Sequence, residues 1–167
     1  MGQAVVRRVT MADTAMARAL RLEMLADAPL AFIETIDQAA ARPHAHFRAR
    51  LAEKIAGNFS AQFVAEADGR LVGQAGGFRA PDATGVSLVF SVYVTPGWRG
   101  TGLLARLVDA VADWSRAAGR PVLELEVVSG NHRAMRAYRR LGFVDTGLRV
   151  RHPTIPLLHE VKMRRPA

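Results

Sequence analysis

Residues 86 to 119 contain a strand pattern, a glycine-rich turn and a helix pattern in direct succession. Apolar side chains at every second position predict a strand with one apolar face, made of Val86, Leu88, Phe90, Val92 and Val94. Beyond the turn, a helix is predicted from Gly102 to about Ala118, because apolar side chains recur at helical spacing, at Leu104, Leu107, Val108, Val111 and Trp114. Gly119 then stands where a helix commonly ends.

The rest of the chain continues this alternation of strands and helices. Asp68-Gly69 predicts a tight hairpin turn, because this pair accepts positive φ angles. The other predicted strands cover residues 5–9, 62–67, 70–78, 121–128, 143–150 and 157–163, and the other predicted helices cover 10–26, 131–141 and a segment from Pro43 that includes Phe47, Leu51 and Ile55. Residues 27–42 are predicted as a loop or a broken helix. Helices between strands favour an α+β fold with a mixed sheet and helices on both faces.

The composition favours a single domain, residues 1–167, with a substantial core. Half of the residues are apolar, and a chain of this length suffices for one compact unit. No apolar run approaches the roughly 20 residues that a membrane span needs, so no membrane association is expected. The sequence has no cysteine, which excludes disulfides, thiolate metal sites and a cysteine nucleophile. The cytoplasm is therefore the expected location.

The net charge of +8 does not by itself indicate a nucleic-acid partner. A basic domain can bind nucleic acid electrostatically, but the arginines are scattered and Lys54 and Lys162 are the only lysines. We therefore expect no nucleic-acid partner, and part of the excess charge would suit an anionic cofactor. No metal is expected, since His44 and His46 lie two positions apart and do not share a helix face.

The turn Arg99-Gly100-Thr101-Gly102 opens the predicted helix in a way that suits an anion. The first N–H groups of a helix lack internal partners and carry partial positive charge, and glycine lets the backbone approach a phosphate closely. The turn lacks the Gly-Lys-Ser/Thr ending of a Walker loop and is too short for a dinucleotide fingerprint. From these residues alone, a phosphate-binding turn and an ordinary glycine-rich turn both remain open.

A second motif lies on the helix predicted at residues 131–141. It reads N-x-x-A-x-x-x-Y-x-x-x-G-F, from Asn131 to Phe143, and it places Ala134 and Tyr138 on one face. Ala134 is small enough to let a ligand approach that face. Taken alone, the motif is also typical of an amphipathic helix that is capped by an asparagine and ended by a glycine.

The order and spacing of these two motifs resemble the GNAT superfamily of N-acetyltransferases. The resemblance implies a mostly antiparallel sheet of six or seven strands with about four helices. It also implies that the strands ending at Val94 and Val128 are parallel neighbours that splay apart to hold acetyl-CoA. The implied cofactor contacts are Val92, Tyr93, Val94, Arg99, Gly100, Thr101, Gly102, Leu103, Leu104 and Asn131. Leu104 departs from the family pattern, which has Gly or Ala at this position.

The resemblance assigns Tyr138 to the thiolate leaving group. An amine that attacks a thioester expels a thiolate, and a phenol hydroxyl within hydrogen-bond reach can protonate that thiolate. A tyrosine with an ordinary pKa of about 10 is protonated at neutral pH, as a general acid must be.

Two glutamates share one face of the strand that precedes the second motif. Glu124 and Glu126 alternate with apolar residues in this strand. The local phrase Leu-Glu-Val resembles the ribosomal-protein N-terminal alanine acetyltransferases, in which this glutamate acts as the base, and it points to Glu126. Both glutamates can instead pair with nearby arginines. Glu124, Glu34, Asp37 or a water molecule are the alternatives for the base.

The predicted function is transfer of an acetyl group from acetyl-CoA to a primary amine by direct attack. No acyl-enzyme is expected, because the chain has no cysteine and no other nucleophile with an evident activating base. Tyr138 would act as acid and Glu126 as base, and the amides of residues 92–94 would stabilise the developing oxyanion. A non-catalytic acyl-CoA-binding sensor or partner-binding module is the alternative. The acceptor would be a small-molecule or peptide amine, and the family leaves a homodimer open.

Overall fold

The computed structural model describes residues 2–167, and Met1 lies outside the described residues. Within this range the chain forms one seven-stranded sheet, made of β1 (Val5–Arg8), β2 (Ser60–Ala67), β3 (Arg70–Arg79), β4 (Val86–Val94), β5 (Val122–Val128), β6 (Val144–Arg151) and β7 (His159–Pro166). Five α-helices accompany it in the same range, α1 (Thr14–Asp27), α2 (Ile36–Ala41), α3 (His44–Ala52), α4 (Leu103–Ala117) and α5 (His132–Arg140). The predicted α+β fold is confirmed.

The strand order is β1-β2-β3-β4-β5-β7-β6. Between residues 2 and 167, every neighbouring pair is antiparallel except β4 and β5, which run parallel as predicted. These two strands pair only over residues 86–88 and 122–124. The remainder of each strand, up to Val94 and Val128, is not paired across the gap, so β4 and β5 splay apart towards their carboxyl ends.

The helices cover opposite faces of the sheet. α4 places Leu107 and Val111 in the core of one face, and α5 adds Met135 to the same cluster. α1 places Leu20 and Met24 in the core of the other face. Because each fully buried side chain of this size contributes roughly 1.5–3 kcal/mol, packing holds both layers. Among the helices of residues 2–167, none combines the length and the hydropathy required of a membrane span.

Two glycines of β3 let neighbouring groups approach closely on both faces of the sheet. A Cβ added at Gly76 would lie 2.5 Å from the Phe90 ring, and a Cβ added at Gly77 would lie 2.8 Å from Trp114 and Val111 of α4. Both contacts are too short for any larger residue without rearrangement. α4 therefore lies directly on β3, which fixes the position of its N-terminus beside the end of β4.

The N-terminal helices differ in detail from the prediction. The helix expected over residues 10–26 begins as a 3₁₀ turn, with the capping box formed by Thr10 and Asp13, before α1 starts. Residues 27–42 contain the short helix α2, whose own capping box joins Thr35 and Gln38. α3 ends at Ala52, so Ile55 lies beyond the helix on which it was predicted.

The prediction that alternate residues from Val86 to Val94 share one face of β4 is wrong, because this strand contains a β-bulge. The register with β3 places two residues, Ser91 and Val92, opposite Ala75. The extra residue reverses the alternation along the rest of the strand. Phe90 therefore packs on the α1 side, whereas Val92 and Val94 join the α4 core.

Candidate active site

A cleft of about 1270 Å³ opens where β4 and β5 diverge. Residues 88–94 of β4 and residues 124–128 of β5 line it, and parts of α1, α3, α4 and α5 form its walls. Ordinary small-molecule pockets have roughly 300–1,000 Å³. The cleft is therefore large enough to take a long ligand, or two substrates side by side.

The β4 bulge is held in place by side chains on the α1 side of the cleft. Ser91 has a φ of 50°, a left-handed conformation that is uncommon for a residue other than glycine. The Gln74 side-chain amide donates a 3.1 Å hydrogen bond to the Ser91 carbonyl, and Arg21 donates a 3.2 Å hydrogen bond to the Ser91 hydroxyl. The strained residue lies just beyond the last β4–β5 pair, where the bend widens the cleft.

The three predicted residues at the end of β4, Val92, Tyr93 and Val94, all line the cleft. The Tyr93 hydroxyl donates a 3.2 Å hydrogen bond to Glu23 of α1. Burial, and then the negative charges of Glu23 and Asp27, raise the pKa of this phenol above its ordinary value. The Tyr93 hydroxyl is therefore engaged with α1. What this segment offers to chemistry in the cleft is its backbone.

The turn before α4 presents an uncapped helix N-terminus to the cleft. Gly100 and Gly102 adopt φ angles of +79° and +83°, and both line the cleft. Gly102 is the N-cap residue, and no side chain caps the helix. The Arg106 amide is the first to donate within the helix, to the Gly102 carbonyl, so the N–H groups of residues 102–105 are free to bind an anion. This arrangement fits a pyrophosphate group.

The other residues predicted around this turn have different surroundings. Arg99 also lines the cleft, but its guanidinium donates a 3.0 Å hydrogen bond to the Val94 carbonyl and pairs with Asp27. Thr101 donates a 2.7 Å hydrogen bond to the Trp98 carbonyl and does not line the cleft. Leu103 is buried in the α4 core, so only its amide is available, whereas Leu104 is half-buried and lines the cleft.

α5 places Asn131 and Tyr138 on the cleft wall. Asn131 is the N-cap of this helix, and its side-chain oxygen accepts a 3.2 Å hydrogen bond from the Ala134 amide. The half-buried Tyr138 ring lies edge-on to Phe143, with 5.7 Å between ring centroids. Burial raises the pKa of Tyr138 to about 12. The phenol therefore keeps its proton throughout the physiological pH range.

Glu126 lines the cleft beside a second carboxyl group that sequence reasoning missed, Glu160 of β7. The pairing of β5 with β7 sets Glu126 opposite Lys162. Glu160 lies two residues from Lys162 on β7, so it is the diagonal neighbour of Glu126 on the same face of the sheet. Lys162 lies 3.5 Å from the Glu126 carboxylate, whose side chain is 42 % exposed. Burial, together with the charge of Glu126 and a hydrogen bond to it, raises the pKa of Glu160 to about 7.

The other candidates for the base are engaged elsewhere or exposed. Glu124 is 5 % exposed, and it pairs with Arg164 at 2.5 Å and with Lys162 at 3.3 Å. Pairing with an arginine, the alternative predicted for both glutamates, is therefore observed for Glu124. Burial acts to raise the pKa of Glu34, but hydrogen bonds from Arg42 and Arg21 lower it overall. Asp37 is exposed on α2 and does not line the cleft.

Sequence reasoning also missed Lys54, which lines the cleft on the side of α3. The sequence held one weak signal for it, because this lysine lies in the segment predicted as a helix from Pro43, in a chain with one other lysine. Glu160 gave no signal at all, because its position depends on the β5–β7 register. Over residues 2–167, no group of three or more His, Asp or Glu side chains is arranged to hold a metal ion.

The sequence and the fold both match known acetyltransferases. The sequence model of the Acetyltransferase (GNAT) family matches residues 24–143. Streptothricin acetyltransferase of Streptomyces lavendulae is 44 % identical over 57 residues, which cover 34 % of this chain and 30 % of that protein. The matched segments span 30 % to 64 % of the curated relatives' own lengths.

Two solved structures share the fold over nearly the whole chain. The GNAT-family acetyltransferase of Streptococcus pneumoniae has a TM-score of 0.80 at 16 % identity, covering 99 % of this chain and 100 % of that one. The putative acetyltransferase yncA of Salmonella typhimurium, solved with its cofactor acetyl-CoA, has a TM-score of 0.71 at 22 % identity, covering 99 % of this chain and 94 % of that one. On the family match, which spans most of its length, this chain belongs to the GNAT family of acetyltransferases.

Proposed function

We propose that this protein transfers an acetyl group from acetyl-CoA to a primary amine by direct attack. The observation that carries the proposal is that one cleft brings together an uncapped helix N-terminus, the protonated phenol of Tyr138 and the carboxyl pair of Glu126 and Glu160. Family membership and the acetyl-CoA bound to the Salmonella relative support the choice of acetyl donor.

Acetyl-CoA, when bound, supplies a thioester whose carbonyl carbon is the electrophile and whose sulfur leaves. The amides of residues 102–105 would hold its pyrophosphate, because they are unpaired and lie at the positive end of the α4 dipole. Asn131 and the small Ala134 would line its path into the cleft. The unpaired edge of β4 would run beside the chain that links pyrophosphate to sulfur.

Tyr138 would supply the proton that the departing sulfur needs. Because its pKa is about 12, the phenol is fully protonated at neutral pH and can donate. The edge-on packing against Phe143 restricts the ring, so the hydroxyl group keeps its direction. Backbone N–H groups of residues 92–94 would stabilise negative charge that develops on the carbonyl oxygen.

The carboxyl pair would take the proton that the attacking ammonium group must lose. When both Glu126 and Glu160 are ionised, their mutual repulsion makes the pair a stronger base than an isolated carboxylate. A base that titrates near neutral pH is well matched to proton abstraction at physiological pH. The nitrogen then forms the new bond to the acetyl carbon as the carbon–sulfur bond breaks, and no protein group is acetylated.

The proposal is tested by following coenzyme A release with a panel of primary amines. We expect release to depend on the amine and to match the amount of acetylated product. Acetyl-CoA binding without amine-dependent release would instead identify a non-catalytic sensor or partner-binding module. Isothermal titration on the same preparation separates that result from a failure to bind acetyl-CoA at all.

Three further expectations accompany this proposal. Residues 1–167 form one domain, and the formation of a single sheet from strands near both ends of the range 2–167 supports this. The absence of cysteine is compatible with the cytoplasm. A homodimer stays a prediction from the resemblance, and sedimentation analysis decides the oligomeric state.

A further inference from the structure

The end of the cleft beside α3 carries an excess of positive charge. Lys54 and Arg50 both line it. Among residues 2–167, neither has an acidic partner within 4.0 Å. Arg21 nearby is different, because Glu34 pairs with it at 2.9 Å. Cations without counter-charge in a half-buried cleft attract an anionic group of a ligand.

A chain of hydrogen bonds connects Lys54 to the β4 bulge. The Lys54 ammonium group donates to the Gln62 side-chain oxygen at 3.5 Å, and Gln62 donates to Gln74 at 3.0 Å. Gln74 in turn donates to the Ser91 carbonyl at 3.1 Å. Both glutamines are buried, so this chain fixes the direction of the Lys54 side chain. The ammonium group thus has one weak neutral acceptor and retains two further donors.

The electrostatics of Lys54 agree with this geometry. Burial first, and then the positive charges of Arg50 and Arg21, lower the pKa of Lys54 to about 8, while Glu53 opposes them weakly. The ammonium group also lies 5.4 Å from the centroid of the Phe90 ring. An anion bound here would relieve the repulsion among the cations and stabilise the charged form of the lysine further.

This charged end of the cleft is separate from the turn that suits pyrophosphate. Lys54 and its glutamine chain lie on the face of the sheet that α1 covers, where Gln74 also contacts Met24. α4 packs on the opposite face, against Gly73 and Gly77. The cleft thus offers two places for anionic groups, one on each side of the splayed strands.

We propose that Lys54, assisted by Arg50, binds a carboxylate of the acceptor, so that the acceptor is a small amine that also bears a carboxylate, such as an amino acid. The amine would face Glu126 and Glu160, and the carboxylate would face Lys54. This inference rests on the proposed acetyl transfer. Phe78 and Phe90, which line the same region, favour an acceptor with an apolar side chain.

The test compares amino acids with matched acceptors that lack the carboxylate. The probes are leucine and phenylalanine, their amides and the corresponding decarboxylated amines. The measured quantity is kcat/KM for each probe. We expect wild type to prefer the amino acids by at least about tenfold, and Lys54→Met to lose about 10- to 100-fold on the amino acids but less than about threefold on the amines. Equal use of all probes by wild type, or an equal loss on all of them in Lys54→Met, would overturn the inference.

Arg48→Met is the matched control, because Arg48 is exposed on α3 and does not line the cleft. It removes one positive charge from the same helix, and we expect no change in the preference for amino acids. If it abolishes the preference as Lys54→Met does, the effect is long-range electrostatics and the subsite is refuted.

A second measurement does not depend on turnover. With two lysines in the chain, nitrogen-15-labelled lysine gives two side-chain signals to follow by NMR. In the presence of coenzyme A, leucine should raise the pKa of Lys54 from about 8, whereas the decarboxylated amine should leave it unchanged. No response to leucine or phenylalanine refutes the carboxylate subsite even if amines are acetylated. A response without any acetyl transfer refutes the proposed function but not the subsite.

Discussion

Replacing Glu160 with glutamine should change how the reaction depends on pH. In the wild type the base must be ionised, so kcat/KM should rise with pH and level off above an apparent pKa of about 7. Glu160→Gln removes the group that titrates near pH 7, together with its repulsion of Glu126, so the pH dependence in that range should disappear. At about pH 5.5 the wild type should keep roughly 3 % of its plateau rate, while the variant stays near its own plateau, because a single ionisation gives about tenfold per pH unit.

The informative quantity is the variant-to-wild-type ratio of kcat/KM, measured by the loss of thioester absorbance. Ionisation of the acceptor amine affects both enzymes alike and cancels in this ratio. The ratio should rise roughly 30-fold between about pH 8.5 and pH 5.5. At high pH the variant should be slower by about tenfold, since its base is weaker. His159→Gln is the control, because histidines titrate in the same range. A ratio that does not change with pH, or a shift produced equally by His159→Gln, refutes the role of the pair.

Three other substitutions test separate parts of the account. Tyr138→Phe should lower kcat by about 10²–10⁴-fold with acetyl-CoA affinity unchanged by titration calorimetry, and full kcat would exclude the acid role. Gly102→Val should weaken acetyl-CoA binding by about tenfold, because valine is strained at the φ of +83° that this position adopts. Gly119→Val is the control, since it introduces similar strain at φ +75° beyond the other end of α4 and should leave binding unchanged. Equal weakening by both substitutions would exclude the turn as the pyrophosphate site. Asp13→Asn should cost about 2 kcal/mol of unfolding free energy at pH 7, because hydrogen bonds from arginine lower the pKa of this buried carboxyl from 3.8 to about 2. That cost should disappear as the pH falls from about 4 to 2, and the exposed Asp113→Asn should show none of it in urea denaturation.

Much of the fold could be predicted from local patterns. α4 is evident because its apolar residues keep helical spacing over four turns and glycines stand at both ends. The turn between β2 and β3 is evident because Asp68 and Gly69 both adopt positive φ angles there. These features depend on neighbours in sequence, so the sequence contains the information that decides them.

The features that were missed depend on contacts between distant segments. The bulge at Ser91 has no signature in composition, because a serine takes up the left-handed conformation only when Gln74 and Arg21 hold it there. α2 has six residues, which is too short for a periodic pattern to emerge. The pairing of Glu160 with Glu126 follows from the register between β5 and β7. Sequence reasoning therefore predicted the elements on the α4 side of the cleft better than the β4 bulge, α2 and the β5–β7 pairing.

A crystal structure with bound coenzyme A tests the central claim most directly. We expect the pyrophosphate oxygens within about 3 Å of the amides of residues 102–105, as hydrogen bonds require. We also expect the sulfur between the splayed ends of β4 and β5, within reach of the Tyr138 hydroxyl. Density for the pyrophosphate away from the α4 N-terminus, or a sulfur with Tyr138 too distant to donate a proton, would contradict the account.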